Sequence, residues 1–141
     1  MNQLQERIQC IINEYGTPAG CEEVNNQYGE STIGEDMADL IGLTLAYKAL
    51  FEQNSQGRTL QMQHKQHFFM IFSQLWCETY DQKHKCARVA SDVHAIAEYR
   101  VDKTLREMPA FQDAFGCHAG QGMFKEPRKR CVVYGPDMNE K

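Results

Sequence analysis

No run of the ~18 apolar residues that a membrane span needs occurs in this chain. The N-terminal stretch MNQLQERIQCIINEYG has no basic region followed by an apolar run, so it does not read as a signal peptide. There is no Cys-x-x-Cys, and the cysteine spacings fit no zinc-finger pattern. Repeats and low-complexity segments are missing too. So is any useful length of alternating apolar and polar residues, which removes the main signal for a half-buried sheet. Positive charge is not in surplus. The net charge of −4 argues against nucleic acid or an anionic membrane as the main partner. The basic cluster Lys125, Arg128, Lys129 and Arg130 is short, is broken by Pro127, and reads as a solvated turn.

What is present is a chain of 141 residues, 42% hydrophobic and 24% charged, enough for one globular domain with a modest core. Apolar residues recur at helical spacing, and the predicted fold is mainly α, helices joined by irregular loops. Residues 2–15 read as a helix with Leu4, Ile8, Ile11, Ile12 and Tyr15 on one face. The N-terminus reads as the middle of a helix, and a chain that starts inside an amphipathic helix suggests a fragment of a longer one. Residues 16–33, with Gly16, Pro18, Gly20 and Gly29, read as a loop. A helix is predicted from Gly34 to about Asn54, capped by Ser31 or Thr32, with Glu35 and Asp36 in the first turn where the helix dipole favours acids. Residues 54–59 read as a turn, Gln61–Asp81 as a long helix, 82–106 as mostly irregular, and Met108–Ala114 as a short helix with Pro109 at its start and Gly116 after it. Cys10, Cys21, Cys77, Cys86, Cys117 and Cys131 leave two readings open: disulfides of an extracytoplasmic protein, or free thiols of a cytosolic one.

Glu35 and Asp39 stand one helical turn apart, so both carboxylates share a face. Gly34 beside them would admit another chain segment closely. On spacing alone, an acidic first turn is commonplace and specifies no chemistry.

Longer motifs specify more. Ser31–Gly42, S-T-I-G-E-D-M-A-D-L-I-G, is similar to T-L-G-E-N-I-A-D-x-x-G of the neprilysin and endothelin-converting-enzyme family of zinc metalloendopeptidases. His64–Phe69 (H-K-Q-H-F-F) resembles that family's H-K-Q-L-F-F, and Ser73–Cys77 (S-Q-L-W-C) its A-Q-V-W-C. Asp92-Val93-His94, with Arg100 six residues after the histidine, resembles D-x-H-S-P-x-x-x-R. Phe111–Cys117 and Pro127–Tyr134 resemble its C-terminal end. The matches keep family order from about Gln3 to Tyr134, followed by a tail at 135–141. The resemblance implies the C-terminal portion of a thermolysin-like catalytic domain over residues 1–134.

It also implies roles. Glu35 would be the third protein ligand of a zinc ion, and Asp39 would orient a zinc-binding histidine. His94 would donate to the oxyanion of the tetrahedral intermediate. Arg100 would hold a backbone carbonyl of a peptide substrate. Cys10 would pair with Cys131, which in the chain-entropy model contributes about 4–5 kcal/mol. Cys77 and Cys117 resemble cysteines that bridge to the N-terminal part of the protease. Cys21 and Cys86 match no family position, and stay open between a bond to each other and free thiols. The implied setting is extracellular or a membrane-anchored ectodomain.

Three departures matter. The chain has no H-E-x-x-H, whose two histidines bind zinc and whose glutamate activates water. His64 and His67 do not replace it and read as structural. One carboxylate is too few for a tight zinc site, so the chain alone is expected to be inactive. The alternative is a non-catalytic remnant that binds peptides or proteins. Asp36 replaces the family's asparagine, and Ala95-Ile96-Ala97 replaces its Ser-Pro-Gly.

Overall fold

Gly29 sits where no side chain fits: a Cβ built on it would stand 2.2 Å from the carbonyl oxygen of Ile12. Two helices cross there, α1 (Gln3–Tyr15) and α2 (Tyr28–Phe51). The computed structural model describes residues 2–52 and 62–133. Four more α-helices follow among the described residues, α3 (Met62–Leu75), α4 (Gln82–Ser91), α5 (Ala97–Glu107) and α6 (Pro109–Phe115), and then a single 3-10 turn at Pro127–Lys129. No strand occurs among them.

Local chemistry sets several ends. Asn2 and Gln5 form a reciprocal capping box on α1, Asn2 Oδ1 accepting from the Gln5 N–H at 2.9 Å and Gln5 Oε1 accepting from the Asn2 N–H at 3.0 Å. Asp81 caps α4 by accepting from the His84 N–H at 2.8 Å. Pro109 opens α6 and Gly116 closes it in the left-handed conformation at φ 62°.

α2 is the central rod, packed on α1 and α5, while α3 packs on α6. The main core gathers Ile11, Tyr15, Leu40, Tyr47, Phe69 and Leu105. Tyr47 stacks on Phe69 at 5.5 Å, and Phe69 meets Phe111 edge-on at 5.4 Å. A smaller core joins Cys21, Tyr28, Val89 and Ile96. One disulfide, Cys10–Cys131, ties α1 to the C-terminal segment; the other, Cys21–Cys86, ties the α1–α2 loop to α4. Cys77 and Cys117 carry free thiols.

Four expectations are corrected. α2 begins at Tyr28, six residues before Gly34, and Ser31 and Thr32 lie inside it rather than capping it. Gly29 misled the reading because it serves the α1 crossing rather than a loop. Gly34 meets nothing within 4 Å in this chain. α3 ends at Leu75, short of Asp81. Residues 82–106, expected to be irregular, hold α4 and most of α5. The basic cluster is not a solvated turn throughout. Lys125 is buried, its Nζ donating to Glu14 Oε2 at 2.6 Å and to Glu107, which also accepts from the Cys131 N–H at 2.5 Å. The predicted turn at 54–59 and the tail at 135–141 lie outside the described residues.

Gly29→Ala should destabilise the chain by about 1–3 kcal/mol, because the added methyl meets backbone rather than a movable side chain. Gly34→Ala should instead stabilise it by about 0.5–1 kcal/mol, the ordinary gain for removing a helical glycine. Urea unfolding followed by circular dichroism separates the two; equal effects would remove the crossing contact as the reason for Gly29.

Candidate functional site

α2 presents Glu35 and Asp39 one turn apart; the α4–α5 connection brings His94, and the first turn of α5 brings Arg100, to meet them. Glu35 Oε2 lies 3.4 Å from His94 Nε2. Arg100 donates from Nε to Asp39 Oδ2 and from Nη2 to Asp39 Oδ1, both at 2.6 Å. This is the planar fork-to-fork geometry that arginine makes with a carboxylate. Arg100 and Asp39 are 11% and 13% exposed, whereas His94 and Glu35 are 42% and 43% exposed. The site therefore has a closed half and an open half.

Three side chains without a predicted role complete it. The Arg100 guanidinium lies over the Trp76 ring, 3.7 Å from its centroid. Asp92 Oδ1 accepts from the His94 backbone N–H and stands 2.9 Å from His94 Nδ1, while Asp92 Oδ2 accepts from Arg88 at 2.8 Å. The His94 backbone N–H, with the ring and Arg88 behind it, holds the Asp92 carboxyl below its ordinary range. An ionised Asp92 only accepts, so it fixes the His94 Nδ1 as the protonated nitrogen and turns Nε2 toward Glu35. Trp76 and Asp92 both fall inside the motifs quoted above, which was the only signal that could have found them.

The third is Asp36, fully buried between the two acids of the face. Burial pushes its carboxyl up from 3.8 to about 7, with Thr32 working against the rise. Thr32 Oγ1 stands 2.6 Å from Asp36 Oδ2 and 3.1 Å from the Tyr28 carbonyl. One hydroxyl proton cannot serve both acceptors; if Asp36 is protonated, it donates to Thr32 while Thr32 donates to Tyr28.

No three His, Cys, Asp or Glu side chains among the described residues converge where a metal ion could be held. Glu35 fits one ligand position, a half-exposed carboxylate beside the open space at Gly34. A zinc ion at Glu35 would take its remaining ligands from elsewhere. His64 and His67 lie on the exposed side of α3.

Asp36 makes stability depend on pH with a definite sign. Between its ordinary 3.8 and about 7 the folded chain holds a proton that the unfolded chain has released, so stability falls as pH rises through that window. Asp36→Asn should remove this slope and raise stability at pH 8 by on the order of 2–4 kcal/mol. Unfolding at pH 5 and pH 8 checks this; an equal pH slope in the variant would show that Asp36 is ionised in the fold.

Human neprilysin is 32% identical over 143 residues, covering 94% of this chain and 18% of its own length. Mouse membrane metallo-endopeptidase-like 1 is 35% identical over 138 residues, covering 92% of this chain and 18% of its own. The cryo-EM structure of Mycobacterium tuberculosis zinc metalloprotease ZMP1 in its open state matches with a TM-score of 0.73 and 26% identity, over 92% of this chain and 21% of that one. The chain thus spans under a fifth of the length of the two relatives, and its helices correspond to one part of the solved protease. The pattern of peptidase family M13 matches residues 1–131, and the chain belongs to that family.

Proposed function

We propose that residues 1–134 are the C-terminal part of the catalytic domain of a zinc metalloendopeptidase that hydrolyses peptides, with 135–141 as a tail. The observation that carries this reading is the meeting of Glu35 and Asp39 on α2 with His94 and Arg100. In this reading Glu35 is one zinc ligand and two histidines come from a part of the protease outside this chain. A zinc ion in such a site polarises the scissile carbonyl and lowers the pKa of its water to about 7.

The chain's own residues would do the following. Asp39 accepts from Arg100 and has lone pairs left for the N–H of a zinc-binding histidine. His94 Nε2 would donate to the oxyanion, with Asp92 holding the ring in place through Nδ1. Arg100 commits Nε and Nη2 to Asp39; its Nη1 makes no hydrogen bond among the described residues and is left for a substrate carbonyl. Trp76 and Asp39 together keep the planar guanidinium in place.

Exposed apolar and small residues support the need for a further part of the protein. Gly34, Ala38, Gly42 and Ala46 are exposed along α2, and Leu45, Ile71 and Leu75 are 47%, 60% and 72% exposed. Cys77 and Cys117, free in this chain, would bridge to that part. Two disulfides suit an extracellular or membrane-anchored ectodomain. No helix among the described residues is long and apolar enough to cross a membrane. Without its complement the chain is expected to bind no zinc tightly and to cut nothing.

The test is a chimera in which this chain replaces the matching part of human neprilysin. It should hold zinc and hydrolyse peptides, His94→Ala should lower kcat by about 10²–10³-fold, and Glu35→Ala should lose zinc. A folded chimera that keeps zinc and full activity in both variants would overturn the assigned roles.

A further inference from the structure

We propose that the Tyr28 hydroxyl is a positioning residue for the His94–Arg100 segment, supplying by a hydrogen bond the restraint that a proline ring supplies in the related motif. The inference rests on the roles given to His94 and Arg100 above, and it concerns what holds them rather than what they do.

The related motif H-S-P-x-x-x-R carries proline two residues after the histidine, where this chain has Ile96. Ile96 nevertheless keeps a proline-like backbone, with φ −58° and ψ 150°. A proline ring imposes φ near −65° covalently; isoleucine imposes nothing so narrow, and the broad extended region is open to it. Isoleucine also has an N–H that proline lacks. That N–H donates to Tyr28 Oη at 2.7 Å in a buried bond, and the next N–H, of Ala97, donates to Tyr80 Oη at 2.9 Å.

These two groups stand at the N-terminus of α5, whose cap Ile96 offers no side-chain acceptor. Helix N-terminal donors need partners from outside the helix. Ile96 and Ala97 are 1% and 4% exposed, so water does not supply them. Burial pushes the Tyr28 hydroxyl up to about 12, so it stays neutral and available as an acceptor. The ring is fixed in the smaller core, beside Cys21, Val89 and Ile96.

The placement on α2 makes this bond a positioning device. Tyr28, Glu35 and Asp39 follow at seven and four residues, about two turns and then one, so they share one stripe of the helix. Tyr28 pins Ile96 at one end and Asp39 pins Arg100 at the other, with the Glu35–His94 contact between them. One straight rod thereby sets the spacing of the whole segment. Loss of the first pin would free His94 to swing away from Glu35 and let the Arg100–Asp39 bonds at the other end exchange more readily.

The experiment uses the isotope-labelled chain with Tyr28→Phe, Ile96→Pro and both together. Tyr28→Phe removes one oxygen and should fold. It should speed amide exchange over 94–100 about tenfold, leave α1 unchanged, and broaden the Arg100 Nε–H and His94 ring signals. Ala95 lies outside any helix, so proline can follow it. In the Ile96→Pro background the same change should do nothing, because the ring then holds the backbone. The proposal fails if Tyr28→Phe lowers the melting temperature while the Arg100 and His94 signals stay put, or if proline gives no rescue. Should Ile96→Pro not fold, the Arg100 Nε–H signal in Tyr28→Phe decides alone. None of these readouts needs zinc or substrate, so they fail independently of the hydrolytic reading, which the His94→Ala chimera decides.

Discussion

Arg100 and Asp39 come from segments 61 residues apart, and their paired hydrogen bonds close the inner half of the site. Both groups are nearly out of water. Burying two charges costs several kcal/mol per ion before their attraction repays it, so the geometry must be good or the pair is a net loss. Here it is bidentate, and the guanidinium face is covered by Trp76. Burial works against the Arg100 charge, yet Asp39 more than offsets it and the guanidinium is held more firmly protonated than usual. Such a pair contributes more to specificity than to stability. It accepts one register of α5 against α2, because no shifted arrangement would give both ions their partner.

Three carboxylates lie within five residues of α2, and each escapes mutual repulsion differently. Asp39 is neutralised by Arg100. Glu35 stays half in water. Asp36, facing the interior, is pushed toward its neutral form. A protonated carboxyl there offers an O–H donor beside a carbonyl acceptor, much as an asparagine offers its amide N–H groups beside a carbonyl. Below about pH 7 the exchange of the family's asparagine for aspartate at this position therefore keeps a neutral hydrogen-bonding side chain there. Burial, rather than residue type, sets the chemistry.

Legibility in the sequence followed how each element spends its apolar residues. α1 carries a conventional periodic pattern and α6 a proline start and glycine stop, and these were readable; the Asn2–Gln5 capping box, which begins α1 at Gln3 where the sequence reads as mid-helix, was not. α5 was not, because its buried positions include Thr104 and Glu107 as well as Leu105. Thr104 is inside because it bonds the Tyr15 hydroxyl at 2.9 Å, and Glu107 because it answers Lys125 and the Cys131 N–H. α4 buries little besides Val89, so its periodicity was faint. Lys125 reads as surface for the same reason: charge in a sequence does not announce its partner. Glu35, Asp39, His94 and Arg100 could be named from motif resemblance alone, since nothing in their spacing requires them to meet. Tyr28 lay outside every motif, and only the acceptor it provides to Ile96 reveals it.

The open half of the site and the uncovered side of α2 have one physical explanation under the proposed function. α2 is apolar or small-sided around most of its circumference, with Leu40, Leu43 and Tyr47 inside and Leu45 and Leu50 nearly half exposed. A helix of that composition belongs in an interior. Its inner side is already filled by α1 and α5. Its outer side carries Gly34 and Gly42, where no atom of this chain approaches within 4 Å of a would-be Cβ. Helical glycine in open space is a net cost to this chain, since it loses more entropy on folding than alanine and gains no contact. The cost is recovered only if another backbone comes close there. Glu35 stands beside Gly34, so whatever backbone fills that space also arrives at the open carboxylate. Packing and metal ligation would thus be completed by the same approach.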